Sequence, residues 1–95
     1  MPVPEYKLRP LLDAQRAWRR DGQTLVRDLS FRDFETAMAF LERIAPRAED
    51  YKRHPDVHIS RGNVRFTITN PHRAGITLAE LRLAAKVNAA IDGQM

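Results

Sequence analysis

The chain contains no cysteine, which removes disulfides, thiolate metal sites and cysteine nucleophiles from consideration. No apolar run is long enough to span a bilayer, so no membrane partner is expected. Met1-Pro2-Val3-Pro4-Glu5-Tyr6 lacks the charged-then-apolar layout of a secretory signal, and the expected location is the cytoplasm. There is no internal repeat, low-complexity tract or linker. Zinc-finger spacing, an aromatic-interleaved basic strand and a recognition-helix pattern are all missing. The three histidines have no metal-ligand spacing with any carboxylate pair, so neither a metal nor a cofactor is assigned.

What remains is 95 residues with 43% hydrophobic content, enough for one small domain spanning 1–95. A chain this short buries a modest share of its surface, so association with a second copy would help it. The net charge is +4, with basic residues scattered from Lys7 to Lys86 and one local cluster at Arg16, Arg19 and Arg20. A basic balance steers acidic partners toward a surface. Scattered arginines read instead as a solvated face, and nucleic acid is not expected as a partner.

Residues 1–9, with prolines at 2 and 4, read as an extended arm. Pro10 suits the first turn of a helix, where its missing N–H costs nothing. Leu11, Ala14 and Trp18 continue at helical spacing, with Asp13, Arg16, Arg19 and Arg20 facing away and Gly22 as the stop. Thr24 to Leu29 alternates as a short strand. Ser30 is placed to cap a second helix, with Asp33 three residues on. Phe34, Ala37, Met38, Leu41, Ile44, Ala45 and Ala48 supply that helix's apolar set. Pro46 either kinks it or ends it, a new turn then carrying residues 47–52. Val57–Ser60 and Val64–Thr69 alternate around a Gly62-Asn63 hairpin turn. Thr77-Leu78-Ala79-Glu80 is a capping box for the last helix, which Gly93 stops. The order is helix, strand, helix, strand, strand, helix, with room for one more short strand near the N-terminal arm. Antiparallel strands covered by helices on one face make an α+β layer fold.

Two stretches carry more than architecture: Glu49-Asp50-Tyr51-Lys52-Arg53-His54-Pro55-Asp56-Val57 and Asn70-Pro71-His72-Arg73-Ala74-Gly75. Together they resemble the signature of the pterin-4a-carbinolamine dehydratases, E-x-x-x-H-H-P, a strand pair, then T-H-x-x-x-G. Trp18 and Gly22 are similar to that family's W-x-x-x-G, and Phe31 to Phe40 to its F-x-D-F-x-x-A-x-x-F. The resemblance covers nearly the whole chain. It implies a four-stranded antiparallel sheet with three helices packed on one face, assembled as a dimer or a tetramer. The chain departs at two positions: Arg53 stands where the family has its first histidine, and Pro71 where it has its third.

The family reaction removes water from a 4a-hydroxytetrahydropterin. The leaving hydroxyl must be protonated and ring nitrogen N5 must lose a proton, tasks that suit imidazole near neutral pH. The resemblance implies His54 as the acid–base group, Glu49 as its orienting carboxylate, and Arg53, Pro55 and Gly75 as ligand contacts. Arginine stays protonated and cannot act as a base, and Pro71 has no side-chain proton. Such help is worth ~100-fold to 10,000-fold per group, so losing two leaves little turnover. His72, one residue past the expected slot, is either a solvent-facing loop histidine or a substitute for the lost one. His54 either bonds the turn it sits in or contacts a ligand. Strand alternation places His58 outward, away from the site, and Trp18 belongs to core or interface.

Two functional readings follow. One is a binding or assembly protein with a depleted site; the family includes a branch, found with carboxysomes and in chloroplasts, that acts as a chaperone in Rubisco assembly, and a member that is a dimerisation cofactor of a homeodomain transcription factor. The expected client is then a Rubisco subunit, with pterin binding retained or lost. The other is an active dehydratase using His54. On either, exposed strand edges lead us to expect a homodimer at least.

Overall fold

The computed structural model of the chain describes residues 2–15, 17–50, 53–70 and 75–94. Pro4 (φ −59°, ψ 147°) ends a short extended segment, and its carbonyl accepts from the N–H groups of Lys7 and Leu8 to open α1 (Glu5–Ala14). The extended arm therefore ends at Pro4 rather than residue 9, and Pro10 lies inside the helix. There its missing N–H removes one intrahelical bond and its ring crowds the Tyr6 carbonyl one turn back. Leu8 is the buried residue of α1. The helix stops before Trp18, which sits in the link to β1 (Arg19–Asp21) and not on a helical stripe.

That first strand is the extra one the sequence left room for. Its Arg-Arg-Asp sequence is exposed throughout, so no alternation marks it. Gly22, at φ +61°, turns the chain into β2 (Thr24–Ser30) instead of ending a helix. Ser30 is the last residue of β2, paired with Asn63, and cannot cap the next helix. Asp33 takes that role for α2 (Phe34–Ile44), its carboxylate accepting from the Thr36 N–H at 2.8 Å. Pro46 ends α2 rather than kinking it; a single 3-10 turn, Ala45–Arg47, follows.

β3 (Asp56–Ser60) and β4 (Asn63–Thr69) form a hairpin whose turn is Arg61-Gly62, one residue earlier than the sequence suggests. Arg61 adopts φ +59°, while Gly62 is needed for a different reason. A Cβ there would lie 2.2 Å from the Phe31 carbonyl oxygen, so the hairpin tip abuts the entrance to α2. The capping box is present as read: Thr77 and Glu80 exchange hydrogen bonds at the start of α3 (Leu78–Asp92).

The strands run in the order β1-β2-β4-β3, every neighbouring pair antiparallel. Three helices and this four-stranded sheet form an α+β layer. Leu25, Val64, Phe66 and Ile68 meet Ala37, Phe40, Ile44, Leu81, Ala84, Val87 and Ile91 in one core. Trp18 is buried against α3, its Nε1 donating to Asn88 Oδ1 at 2.8 Å. The other face of the sheet is polar. There Asp28 accepts from Arg19 at 2.6 Å and Arg65 at 2.7 Å, and these two guanidinium groups pull its carboxyl down from 3.8 to about 2. His58 lies on that same face, beside Arg65 in register, as strand alternation requires.

Candidate functional site

The α2–β3 edge of the molecule holds an open cavity of about 460 Å³. Its walls follow from the width of the apolar surface on α2. Ala37, Phe40 and Ile44 are fully buried, but Met38, Leu41 and Ala45 form a neighbouring stripe that the sheet does not cover completely. Val57 and Ile59 of β3 make the opposite wall, with Phe66 behind them. The polar groups reaching this apolar space from the described residues are Glu49 and His54. Helical spacing and strand alternation predict that Met38, Leu41, Val57 and Ile59 face inward. An apolar set on α2 too broad for a single helix stripe was the signal of a second, partly open surface.

The signature segment closes on itself between those two polar groups. Asp50 N–H donates to the Arg53 carbonyl at 2.9 Å and Arg53 N–H to the Asp50 carbonyl at 2.8 Å. Glu49 precedes this Asp50–Arg53 bridge and His54-Pro55 follows it. The His54 Nδ1 lies 3.0 Å from the Pro55 carbonyl oxygen. In the neutral ring that bond places the proton on Nδ1 and leaves Nε2 as the acceptor. His54 thus bonds its own turn and also lines the cavity. Pro55 is buried and also lines the space.

Arg53 and Gly75, expected as ligand contacts, are engaged elsewhere. The Arg53 guanidinium donates to Glu80 Oε2 at 2.7 Å and to the Thr69 carbonyl at 3.4 Å. Glu80 is only 1% exposed, and its other oxygen accepts from the Thr77 N–H and hydroxyl, each at 2.6 Å. Burial works to raise the Glu80 carboxyl, but the Thr77 hydroxyl, the Thr77 N–H and the Arg53 guanidinium outweigh it and hold it below its ordinary value. Gly75, at φ +92°, abuts Pro2, while its carbonyl accepts from Asn70 Nδ2 at 3.1 Å. The positive φ and the close approach of Pro2 explain the glycine without a ligand. Pro71 and His72 lie outside the described residues. Among the described residues no cluster of His, Asp and Glu could hold a metal ion, and no helix is long and apolar enough to cross a membrane.

The depression, lined by a carboxylate and an imidazole, lies between a helix and the edge of an antiparallel sheet in an α+β layer fold. Comparison with known proteins gives the family. The profile of the pterin 4 alpha carbinolamine dehydratase family matches residues 1–90, and the chain belongs to that family. Over 77 residues it is 39% identical to a provisionally named pterin-4-alpha-carbinolamine dehydratase of Thermomicrobium roseum, covering 81% of this chain and 83% of the relative. A second provisionally named dehydratase, from Gloeobacter violaceus, is 38% identical over 82 residues, covering 85% of this chain and 88% of that one. The crystal structure of a transcriptional coactivator/pterin dehydratase from Brucella melitensis superposes with a TM-score of 0.78 at 26% identity, covering 96% of this chain and 99% of the other.

Proposed function

We propose that this chain is a dehydratase scaffold used chiefly for binding and assembly, its cavity kept as a recognition surface and its proton chemistry reduced. The observation that carries this reading is the state of Arg53. The family's first histidine is replaced by a guanidinium that cannot take up a proton at neutral pH, and that guanidinium is bound to Glu80 at 2.7 Å. Pro71 removes a second imidazole from the motif. That the Brucella melitensis protein is described as a transcriptional coactivator as well as a pterin dehydratase supports a binding role for this fold. The client we favour is a Rubisco subunit, by analogy with the assembly branch of the family. A homodimer built on the free β3 edge fits the same picture, since Val57 there is 45% exposed.

Dehydration of a 4a-hydroxytetrahydropterin, followed directly with purified protein, tests the reading; no rate above the uncatalysed reaction is expected. Co-refolding with a Rubisco large subunit tests the client, with a raised yield of assembled enzyme expected. One observation favours a second reading, an active dehydratase: Glu49 and His54 still face the same cavity. Turnover that disappears in His54→Ala would establish that enzyme and sink the assembly reading.

A further inference from the structure

The Arg53 guanidinium and the buried Glu80 carboxylate, 2.7 Å apart, link the signature segment to α3. This link does not stand alone. Asp50, at the other end of the same loop, has its carboxylate 3.5 Å from Arg82 Nε, two residues along the same helix. Asp50 and Arg53 are also tied to each other by two backbone hydrogen bonds. Asp50 and Arg53 are therefore tied to each other and each to the first turns of α3. Glu49 and His54 leave this bridge in opposite chain directions, each one residue from a fastened position, and both reach the cavity.

We propose that Arg53 is a positioning residue: by pairing with Glu80 it anchors the Asp50–Arg53 backbone bridge to α3 and so fixes where Glu49 and His54 stand at the cavity. The proposal rests on the cavity being the working site, as argued above. In place of a second imidazole the chain has a lock. Lysine at position 53 would keep the charge but lose the forked geometry that reaches both Glu80 and the Thr69 carbonyl. Glu80 holds Thr77 with one oxygen and Arg53 with the other, so the α3 cap and the site loop are joined through one carboxylate.

The test reads the His54 imidazole Cε1–H resonance by proton–carbon NMR, assigned with His54→Gln, in wild type, Arg53→Met, Arg53→Lys and Glu80→Gln. Expected is a shift or exchange broadening of the His54 signal beyond its linewidth in Arg53→Met and Glu80→Gln, with partial return in Arg53→Lys. The His58 signal, from the opposite face of the sheet, stays in place as an internal control. Glu80→Gln keeps an acceptor for Thr77 and decides the matter if Arg53→Met does not fold. A His54 signal that superposes on wild type in either folded variant would overturn the proposal and leave Arg53 a purely stabilising residue. Neither turnover nor a client enters this measurement, so failure of the dehydration or refolding experiments is distinguishable from failure here.

Discussion

Arg53 and Glu80 differ sharply in exposure, their side chains 31% and 2% accessible. Removing the arginine leaves a carboxylate in the core with only Thr77 to hold it, while removing the carboxylate leaves a cation that water can reach. Arg53→Met should therefore cost about 2 kcal/mol at neutral pH, below the usual cost of breaking a buried pair because Thr77 still donates twice. Because the folded state depresses the Glu80 carboxyl, the stabilisation is full above the ordinary value of 4.5 and is lost as pH falls through the folded value. The gap between wild type and Arg53→Met should narrow on acidification, as denaturant melts at several pH values would show. Asp28 gives a second acid-sensitive contribution. It is complete above 3.8 and lost on the way down to about 2, but at 41% side-chain exposure water screening limits it to less than about 1 kcal/mol. Asp28→Asn should lower the neutral plateau by less than about 1 kcal/mol and flatten the acid limb between 3.8 and about 2, where the wild-type contribution fades.

Two turns of the sheet use glycine for unrelated reasons, and their alanine variants should separate. At Gly22 an added Cβ meets nothing within 4 Å, so the only penalty is the positive φ of +61°, about 1 kcal/mol. At Gly62 the added atom would fall 2.2 Å from the Phe31 carbonyl oxygen and 3.2 Å from the Asp33 N–H nitrogen. Both obstacles are backbone, and Asp33 is the α2 cap, so the clash spreads into that helix. Gly62→Ala should cost about 3 kcal/mol or more, visible as a much lower urea midpoint than for Gly22→Ala. Elements read well from sequence where local chemistry decides them. The Thr77/Glu80 box and the β4 alternation are examples, each needing only neighbours three residues apart or fewer. β1 was hidden because an exposed Arg-Arg-Asp strand has no apolar face to alternate. Ser30 lost the capping position because its pairing with Asn63, 33 residues away, keeps it in the sheet.

The molecule measures about 40 × 23 × 23 Å with a radius of gyration of 13.3 Å, slightly extended for a globular chain of this length. Among the described residues its sheet ends in two edge strands, β1 and β3. β1 is short and carries Arg19, Arg20 and Asp21, which discourage pairing. β3 is longer and stands beside the apolar cavity. Sedimentation velocity at micromolar concentration should show a dimer or larger species, and a monomer alone would remove the association part of the proposed function. The cavity itself is a property of this scale, because its walls come from α2, the turn after it, β3 and β4.

By itself the sequence determined the layer architecture, the last helix with its cap, the strand hairpin and the pair Glu49 and His54, because each depends on periodicity or on a short motif. It also showed that Arg53 cannot act as a base, since that is a property of guanidinium. Only the tertiary structure decided what Arg53 does instead. Its partner Glu80 is 27 residues away, already recognisable as a helix cap, and nothing local reveals that its second oxygen is buried and in need of a cation. A long-range ion pair is set by how the layers stack, which no window of neighbouring residues contains.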